Sequence, residues 1–563
     1  MVIINIWMFM KSTLIDQYID KQSVISAIET FSEKHDLNQI APETKTYREL
    51  LPSKSPQPGQ QYAFEVDLDK CTGCKACVTA CHNENGLDID ETWRSVGVVQ
   101  GGTNTNAKIQ HVTTACHHCA EPACMSGCPT KAYTKDDITG IVKHLDDQCF
   151  GCQYCILKCP YDVPKYNKKK GIVHKCDMCV GRLENGQAPA CVRACPQGAI
   201  KIAIVDKKEV MEKSERFVDV PDAPRSDYTY PTTRYTSKEP LPSNAGSIDY
   251  FNINPEHSHM PLVIMLVLTQ LSVGAFTTQL LLKNFVESNL LEILFPVQIL
   301  TALGLGLLAL ASSILHLGRP QYAFRAILGF KTSWLSKEIV AFAIFAKLAV
   351  LYAACSWFVP IRDFVINVVG VQAFDYIGAS VGVCGILGVY CSVMVYKDTK
   401  RPFWDNHLTT LKFYLTAGIL GCATILLSST VCVGIYPELL IGDVLKSFGN
   451  RLASTIMILS VLKLVIEGFI FVYLGQGDLS FFKKSALIMV QHLRMQTIFR
   501  FGLGAFGGIV LPFTLLSLQK TVNFNTVLTV TVAIFCFTLM AELLARYLFF
   551  SAVVPLKMPG GSK

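Results

Sequence analysis

Histidine and charge are what this chain of 563 residues has little of. Only twelve histidines occur, five of them from His257 onward, and none sits inside a long apolar run. A haem held between membrane helices generally takes histidine ligands from those helices, so no haem is expected. Charged residues make up 17% of the chain against 50% hydrophobic. That excludes a disordered or fibrous chain and argues against an ordinary soluble enzyme. The first seventy residues hold no cysteine. The apolar start, Met1 to Met10, has no basic flank before it, no twin arginine and no small-residue cleavage site, so no secretory or twin-arginine signal is expected. There is no Walker A loop. With no hydrolase elbow or dinucleotide loop expected either, chemistry on a terminal substrate is not expected in this chain.

What is present divides near residue 259. Residues 1–259 carry 29 Lys/Arg and 32 Asp/Glu, whereas residues 260–563 carry 22 and 12. The positive excess lies in the apolar half, where it points to membrane topology and not to nucleic acid. Sixteen of the 22 cysteines fall between Cys71 and Cys195. The pattern is a cysteine-ligand domain joined to a membrane domain. Residues 1–61 read as a helical extension, with an amphipathic helix over 12–36 (Leu14, Ile15, Tyr18, Ile19, Val24, Ile25, Ile28, Phe31) ahead of a Pro-rich stretch. A surface helix and a docking arm for a partner both fit it.

The cysteines form four groups. Cys71, Cys74, Cys77 and Cys81 are spaced C-x2-C-x2-C-x3-C, and Cys149, Cys152, Cys155 and Cys159 repeat that spacing. Cys116, Cys119, Cys124 and Cys128 widen the middle gap to four residues, and Cys176, Cys179, Cys191 and Cys195 widen it to eleven. Cys128, Cys159 and Cys195 each precede proline. A cubane cluster needs four converging thiolates, three from one compact turn and a fourth from the other half of a pseudo-symmetric pair. An internal repeat supports such a pair: Lys70-Cys-Thr-Gly-Cys-Lys-Ala-Cys77 echoes Gln148-Cys-Phe-Gly-Cys-Gln-Tyr-Cys155, and Cys128-Pro-Thr-Lys-Ala-Tyr133 echoes Cys195-Pro-Gln-Gly-Ala-Ile200. Two ferredoxin-like units with room for four [4Fe–4S] clusters are expected over 62–204. Zinc ribbons use paired C-x2-C knuckles instead, and a disulfide scaffold suits neither the length nor the missing signal.

With Asp69-Lys-Cys-Thr-Gly-Cys-Lys-Ala-Cys77, Cys116-His-His-Cys-Ala-Glu-Pro-Ala-Cys124, Cys159-Pro-Tyr-Asp-Val-Pro-Lys-Tyr166 and His174-Lys-Cys-Asp-Met-Cys179, residues 62–203 resemble the iron–sulfur subunit of dimethyl sulfoxide reductase-type molybdoenzymes. The resemblance implies cross-paired ligand sets. Cys71, Cys74, Cys77 and Cys195 would hold a first cluster, and Cys81, Cys176, Cys179 and Cys191 a second. Cys116, Cys119, Cys124 and Cys159 would hold a third, and Cys128, Cys149, Cys152 and Cys155 a fourth. Some relatives lack one cysteine and carry a three-iron cluster; here all sixteen are present.

Residues 205–259, with six prolines among polar residues, read as an extended linker over that domain. Eight apolar runs follow, near 260–282, 290–315, 339–360, 374–396, 411–433, 452–474, 501–519 and 525–549, each long enough to cross a bilayer. The expected fold is therefore an α+β bis-ferredoxin-like domain followed by an all-α polytopic membrane domain over 260–555. Loops and tail on the N-terminal side hold fourteen Lys/Arg and the opposite loops five, which places the iron–sulfur domain in the cytoplasm, at a cell (inner) membrane.

Residues 257–555 resemble the haem-free, eight-helix anchor of the same reductases through His257-Ser-His-Met-Pro-Leu262, His316-Leu-Gly-Arg-Pro320, Ser336-Lys-Glu-Ile339 and Glu542-Leu-Leu-Ala-Arg546. The resemblance implies a quinol site at His316, and a base near neutral pKa suits quinol oxidation. A helix cap is the plainer role for His316. Arg319 and Glu338 are helpers at that site or members of a structural ion pair. Lys463 and Glu467, four apart in the sixth run, are a candidate proton route or a self-neutralising pair, and the six membrane cysteines are packing residues. The resemblance as a whole implies an electron-transfer and anchor subunit. It would oxidise menaquinol or ubiquinol, carry electrons through four clusters, and deliver them to a separate molybdopterin catalytic subunit. Reverse flow from a dehydrogenase to quinone, a proton-translocating redox module and a non-redox metal scaffold remain alternatives.

Overall fold

The computed structural model describes residues 49–560, apart from 225–226, 284, 287, 371, 437 and 519–522. The helix expected over 12–36 lies outside the described residues. Residues 49–61, assigned above to a helical extension, are turns leading into a strand, because Pro52, Pro56 and Pro58 leave no room for a helix.

Strand β1 (Gln60–Asp67) is the spine of the cysteine domain. It pairs antiparallel with β8 (Ile200–Asp206) and parallel with β9 (Arg234–Thr236), so the segments before the first and after the last cysteine close on each other. A hairpin, β2 (Ser95–Thr103) and β3 (Asn106–Thr114), takes β10 (Gly246–Ser247) on its edge. Two ribbons complete the strands, β4 (Tyr133–Lys135) with β5 (Val142–His144) and β6 (Lys165–Asn167) with β7 (Ile172–His174). Short helices, among them Ala76–Asn85 and Tyr154–Lys158, follow the cysteine loops. The α+β ferredoxin-like expectation holds. The linker boundary at 204/205 does not: β8 runs across it, and the stretch beyond contributes β9 and β10. Prolines on either side keep that stretch extended and confine it to sheet edges.

All eight expected spans are helices: α1 (Met260–Leu282), α2 (Ser288–Ile314), α3 (Trp334–Trp357), α4 (Ala373–Lys397), α5 (His407–Ile435), α6 (Ile441–Gly475), α7 (Arg494–Ser517) and α8 (Phe524–Ser551). The sixth starts well before the expected residue 452, because Ile441 to Gly449 continues the helix through a π turn. An additional helix, Val359–Val369, follows α3 with no buried residue. The spans pack as two four-helix groups, α1–α4 and α5–α8, joined where α1 meets α5. A Cβ on Gly274 would lie 1.8 Å from the Ala417 carbonyl oxygen and one on Gly421 2.3 Å from the Gly274 carbonyl carbon, so only glycine allows these backbones to touch. Gly378-Ala-Ser-Val-Gly382 and Gly502-Leu-Gly-Ala-Phe-Gly507 match the strings of a hydrolase elbow and a dinucleotide loop. Both lie inside spanning helices, α4 and α7, and neither follows a strand as those loops must.

After α8 the chain turns back to the cysteine domain. Met558 is buried in that domain's core, and Gly560 N–H donates to Ser247 Oγ at 3.0 Å.

Candidate metal centres and their membrane-facing end

The cysteine loops share an unusual backbone. Gly73 and Lys75 have φ of 74° and 61°, Gly151 and Gln153 have 75° and 61°, and His118 and Met178 are left-handed as well. Such residues curl the chain until its N–H groups point inward, a geometry that stabilises negative charge. His118 N–H donates to Cys116 Sγ at 3.5 Å and Met178 N–H to Cys176 Sγ at 3.4 Å. The internal repeat does the same twice over: Ala132 N–H reaches Cys128 Sγ and Ala199 N–H reaches Cys195 Sγ, both at 3.2 Å.

Taken in the four sets that the resemblance implies, the sixteen thiols lie near their expected partners. Cys71, Cys74, Cys77 and Cys195 line a cavity of about 330 Å³, and Cys116, Cys119, Cys124 and Cys159 line one of about 380 Å³. Cys81 lies within electrostatic range of Cys179 and Cys191, as Cys176 does of Cys81 and Cys179. Cys128 holds the same relation to Cys149, Cys152 and Cys155. In the first, third and fourth sets three members come from one cysteine run and one from elsewhere. In the second, Cys176 and Cys179 share a run, Cys191 lies beyond the helix Val180–Glu184 and Cys81 comes from the helix Ala76–Asn85. Burial above all pushes the Cys159 thiol up to about 11 and that of Cys179 to about 12, and Cys124 and Cys152 rise further. Four such thiols ionise together only around a cationic core, which fits an iron–sulfur cluster. Among the described residues, no three His, Cys, Asp or Glu side chains close on a single metal ion.

Three side chains that sequence reasoning missed tie the sets into a row. Arg94, 2% exposed, acts on Cys77 of the first set and on Cys81, Cys176 and Cys191 of the second. Lys175, 3% exposed, acts on Cys176 and on Cys116 and Cys124 of the third. Tyr133 lies by Cys124 and by Cys128 and Cys155 of the fourth. Lys175 adjoins a cysteine motif and was open to notice; nothing local marks Arg94.

The fourth set abuts the membrane domain. A Cβ on Gly318, in the α2–α3 connection, would lie 2.1 Å from the Gly171 carbonyl oxygen, and one on Gly151 would lie 3.0 Å from Gly318 Cα. Arg319 N–H donates to the Phe150 carbonyl at 3.0 Å and Gly329 N–H to that of Pro129 at 2.7 Å. Tyr154, between Cys152 and Cys155, is buried in the membrane core and donates to the Val395 carbonyl at 2.9 Å. Beside it Lys158 pairs with Asp398 at 2.8 Å.

His316 follows α2 at this same end. Its Nδ1 is buried with no hydrogen-bond partner. Burial pushes its pKa down to about 4 against the nearby Ser313 carbonyl, with His259 lowering it further, so the near-neutral value expected of a base here is not met and the imidazole stands neutral. His259 precedes α1 and packs edge-on to His257, ring centroids 5.1 Å apart. Its motif was noticed in the sequence, but its place beside His316 was not. Arg319 forms no ion pair there: Nε and Nη1 donate to the carbonyls of Lys170 and Asp146 at 3.1 and 2.9 Å. It clamps the two domains. Glu338, 4% exposed, accepts from the Ser392 hydroxyl. Among the described residues no hydrogen bond or ion pair joins His316, Arg319 and Glu338.

Lys463 and Glu467, 3.8 Å apart, belong to a larger ring. Lys463 contacts Glu542 more closely, and Arg500 pairs with Glu467 at 2.9 Å and Glu542 at 3.3 Å. The pair is not left to neutralise itself within one helix, because Glu542 and Arg500, on other helices, are the closer partners. Arg500 and Lys412, two of the fourteen Lys/Arg expected in loops and tail on the N-terminal side, both lie inside spans.

The comparisons with known proteins agree with this division. The family model "DMSO reductase anchor subunit (DmsC)" matches residues 254–552, more than half of the chain. Models of a 4Fe-4S dicluster domain and a 4Fe-4S binding domain match 107–205 and 62–83. The B subunit of anaerobic dimethyl sulfoxide reductase from Haemophilus influenzae is 36% identical over 31% of this chain and 87% of its own length, and that from Escherichia coli K12 is 35% identical over 30% and 86%. The iron–sulfur subunit of the nitrate-inducible formate dehydrogenase of Escherichia coli K12 is 36% identical over 27% of this chain and 57% of its own length. The chain thus belongs to the dimethyl sulfoxide reductase family, with the electron-transfer iron–sulfur subunit and the multi-pass membrane anchor joined in one polypeptide.

Proposed function

We propose that this chain oxidises membrane quinol, menaquinol or ubiquinol, and delivers the electrons to a separate molybdopterin-containing reductase subunit. Four [4Fe–4S] clusters, one in each cysteine set, supply the one-electron carriers when bound. The observation that carries the reading is the backbone contact between the fourth set and the α2–α3 connection, where His316 stands. Quinol oxidation releases two protons, and a buried neutral imidazole with a free nitrogen accepts one. Arg94 and Lys175 hold positive charge between sets that become more negative on reduction. No haem belongs to this reading, since the anchor's histidines stand at helix ends or outside the helices.

The cysteine domain lies at the end of the bundle whose loops carry most of the Lys/Arg, which supports a cytoplasmic position. A cysteine introduced near residue 240 should then resist an impermeant reagent in intact cells; ready labelling rejects the orientation. Iron analysis and low-temperature EPR of anaerobically prepared protein, reduced by quinol and then by dithionite, test the rest. Stoichiometric zinc, a three-iron signal before oxidation, or no reduction by quinol overturns it. The similarity to a formate dehydrogenase subunit favours one second reading, electron flow from a dehydrogenase into quinone. Cluster potentials all below that of the quinone pool would select it.

A further inference from the structure

The charged ring in the α5–α8 group balances itself and leaves two cations over. Lys463 and Arg500 are matched by Glu467 and Glu542. Lys412 of α5 and Arg546 of α8 stand beside them without a carboxylate of their own: the acids that face Lys412 and Arg546 are those same two. Arg546 is 5% exposed. It donates to Gln270 Oε1 at 3.0 Å, lies 3.7 Å from the centroid of the Phe413 ring, and keeps Nε buried with no partner. Lys412, Lys463, Glu467, Arg500 and Arg546 line a single cavity of about 540 Å³, with Phe403 and Phe549 among its apolar walls.

Two uncompensated cations inside a membrane bundle are costly unless an anion answers them. Lys412 and Arg546 each lie about 8 Å inside the end of their helix, at 1.5 Å per residue, on the side of the cysteine domain. That is near headgroup depth, where basic pockets between helices take up lipid phosphates. A guanidinium and an ammonium facing one cavity suit phosphate oxygens, and the aromatic walls suit acyl chain. We propose that this cavity binds a phosphate anion, supplied in the membrane by the headgroup of an anionic phospholipid. The site is separate from His316 and from every cysteine set, so it stands or falls independently of the quinol reading.

The test uses the full chain in detergent, stripped of lipid, with phosphatidylglycerol, phosphatidylcholine or sodium phosphate added back. Native mass spectrometry counts retained lipid and thermal unfolding reports the response. Phosphatidylglycerol should add one bound lipid and raise Tm by several degrees, while phosphatidylcholine should do neither. Lys412→Gln and Arg546→Gln should each weaken retention at least tenfold. Lys412→Gln removes only an unmatched cation, so its lipid-free form should unfold no earlier than wild type. Arg546→Gln also gives up the bond to Gln270 and the Phe413 contact, so its lipid-free form should unfold somewhat earlier and the retained lipid is its readout. A response to sodium phosphate equal to that of phosphatidylglycerol keeps the anion site and rejects the lipid. Equal retention in wild type and both variants, an equal response to phosphatidylcholine, or a quinone extracted from the site overturns the proposal.

Discussion

The cysteine domain and the membrane domain bury charge-bearing groups by opposite routes. In the first, most thiols of a set stand a few residues apart in one short run, and left-handed residues such as Lys131 and Gly198 turn the backbone N–H groups toward the sulfurs. In the second, Lys463, Glu467, Arg500 and Glu542 come from three helices and meet only through tertiary packing. One arrangement is written into local spacing and the other is not. That difference decides what a substitution does in each region.

The sharpest break is at the fourth cysteine set. Cys155→Ser should remove about a quarter of the bound iron, one cubane of four. It should abolish reduction by quinol while dithionite still reduces the rest. Cys74→Ser, in the set farthest along the row from the membrane, should cost the same iron yet leave quinol able to reduce the remaining sets. Equal loss of quinol-driven reduction in both variants would contradict the order of the row. Iron content and EPR amplitude measure both.

The ring is the corresponding break in the membrane domain. Glu542→Gln leaves Lys463 and Arg500 sharing one carboxylate in a buried site, which should cost about 3–5 kcal/mol, seen as early thermal unfolding in detergent. The double variant Lys463→Met with Glu542→Leu should recover most of it, since it removes the pair and not one partner. If the ring conducted protons instead, quinol oxidation in liposomes would build a potential that Glu467→Gln abolishes. A self-contained ring predicts none.

How far the sequence could be read follows the same line. The cysteine groups, their repeat, the α+β class and all eight spans were legible, because each rests on spacing or on an uninterrupted apolar run. Arg94 was not, since it reaches the thiols across the fold from the strand region near β2. The β9 and β10 strands were hidden in a proline-rich stretch that reads as linker. Met558 sits in a tail with no pattern at all, yet it completes the core of a domain hundreds of residues earlier. Arg319 was read by type, as a quinol helper or a member of an ion pair, whereas its Nε and Nη1 donate to carbonyls of the cysteine domain.

His316 sharpens the comparison where the two domains meet. His316→Ala should slow quinol-dependent reduction by about a hundredfold, the scale of a lost general base, with dithionite reduction unchanged. Burial holds the imidazole at a pKa of about 4, so it stays neutral and able to accept a proton from pH 8 down to about 5. The rate should therefore be flat over that range and fall only as pH drops through about 4. Loss centred near pH 6.5, the value of an unperturbed histidine, would place His316 in water and outside the site. Stopped-flow reduction across pH measures this.

The smallest effect belongs to Arg319. Its side chain gives two hydrogen bonds to carbonyls of the cysteine domain from a partly exposed position, and each is worth roughly 1 kcal/mol. The backbone contacts of Gly318 and Gly329 with that domain, and the bond from the Ser333 hydroxyl to the Gly127 carbonyl, do not depend on it. Arg319→Ala should lower Tm by a few degrees and leave the KM for quinol unchanged. Arg319→Lys should fall between, because an ammonium reaches one carbonyl at a time where the guanidinium reaches two. A clamp and a quinol ligand are separated by that split: a rise of tenfold or more in KM with Tm unmoved would return Arg319 to the quinol site.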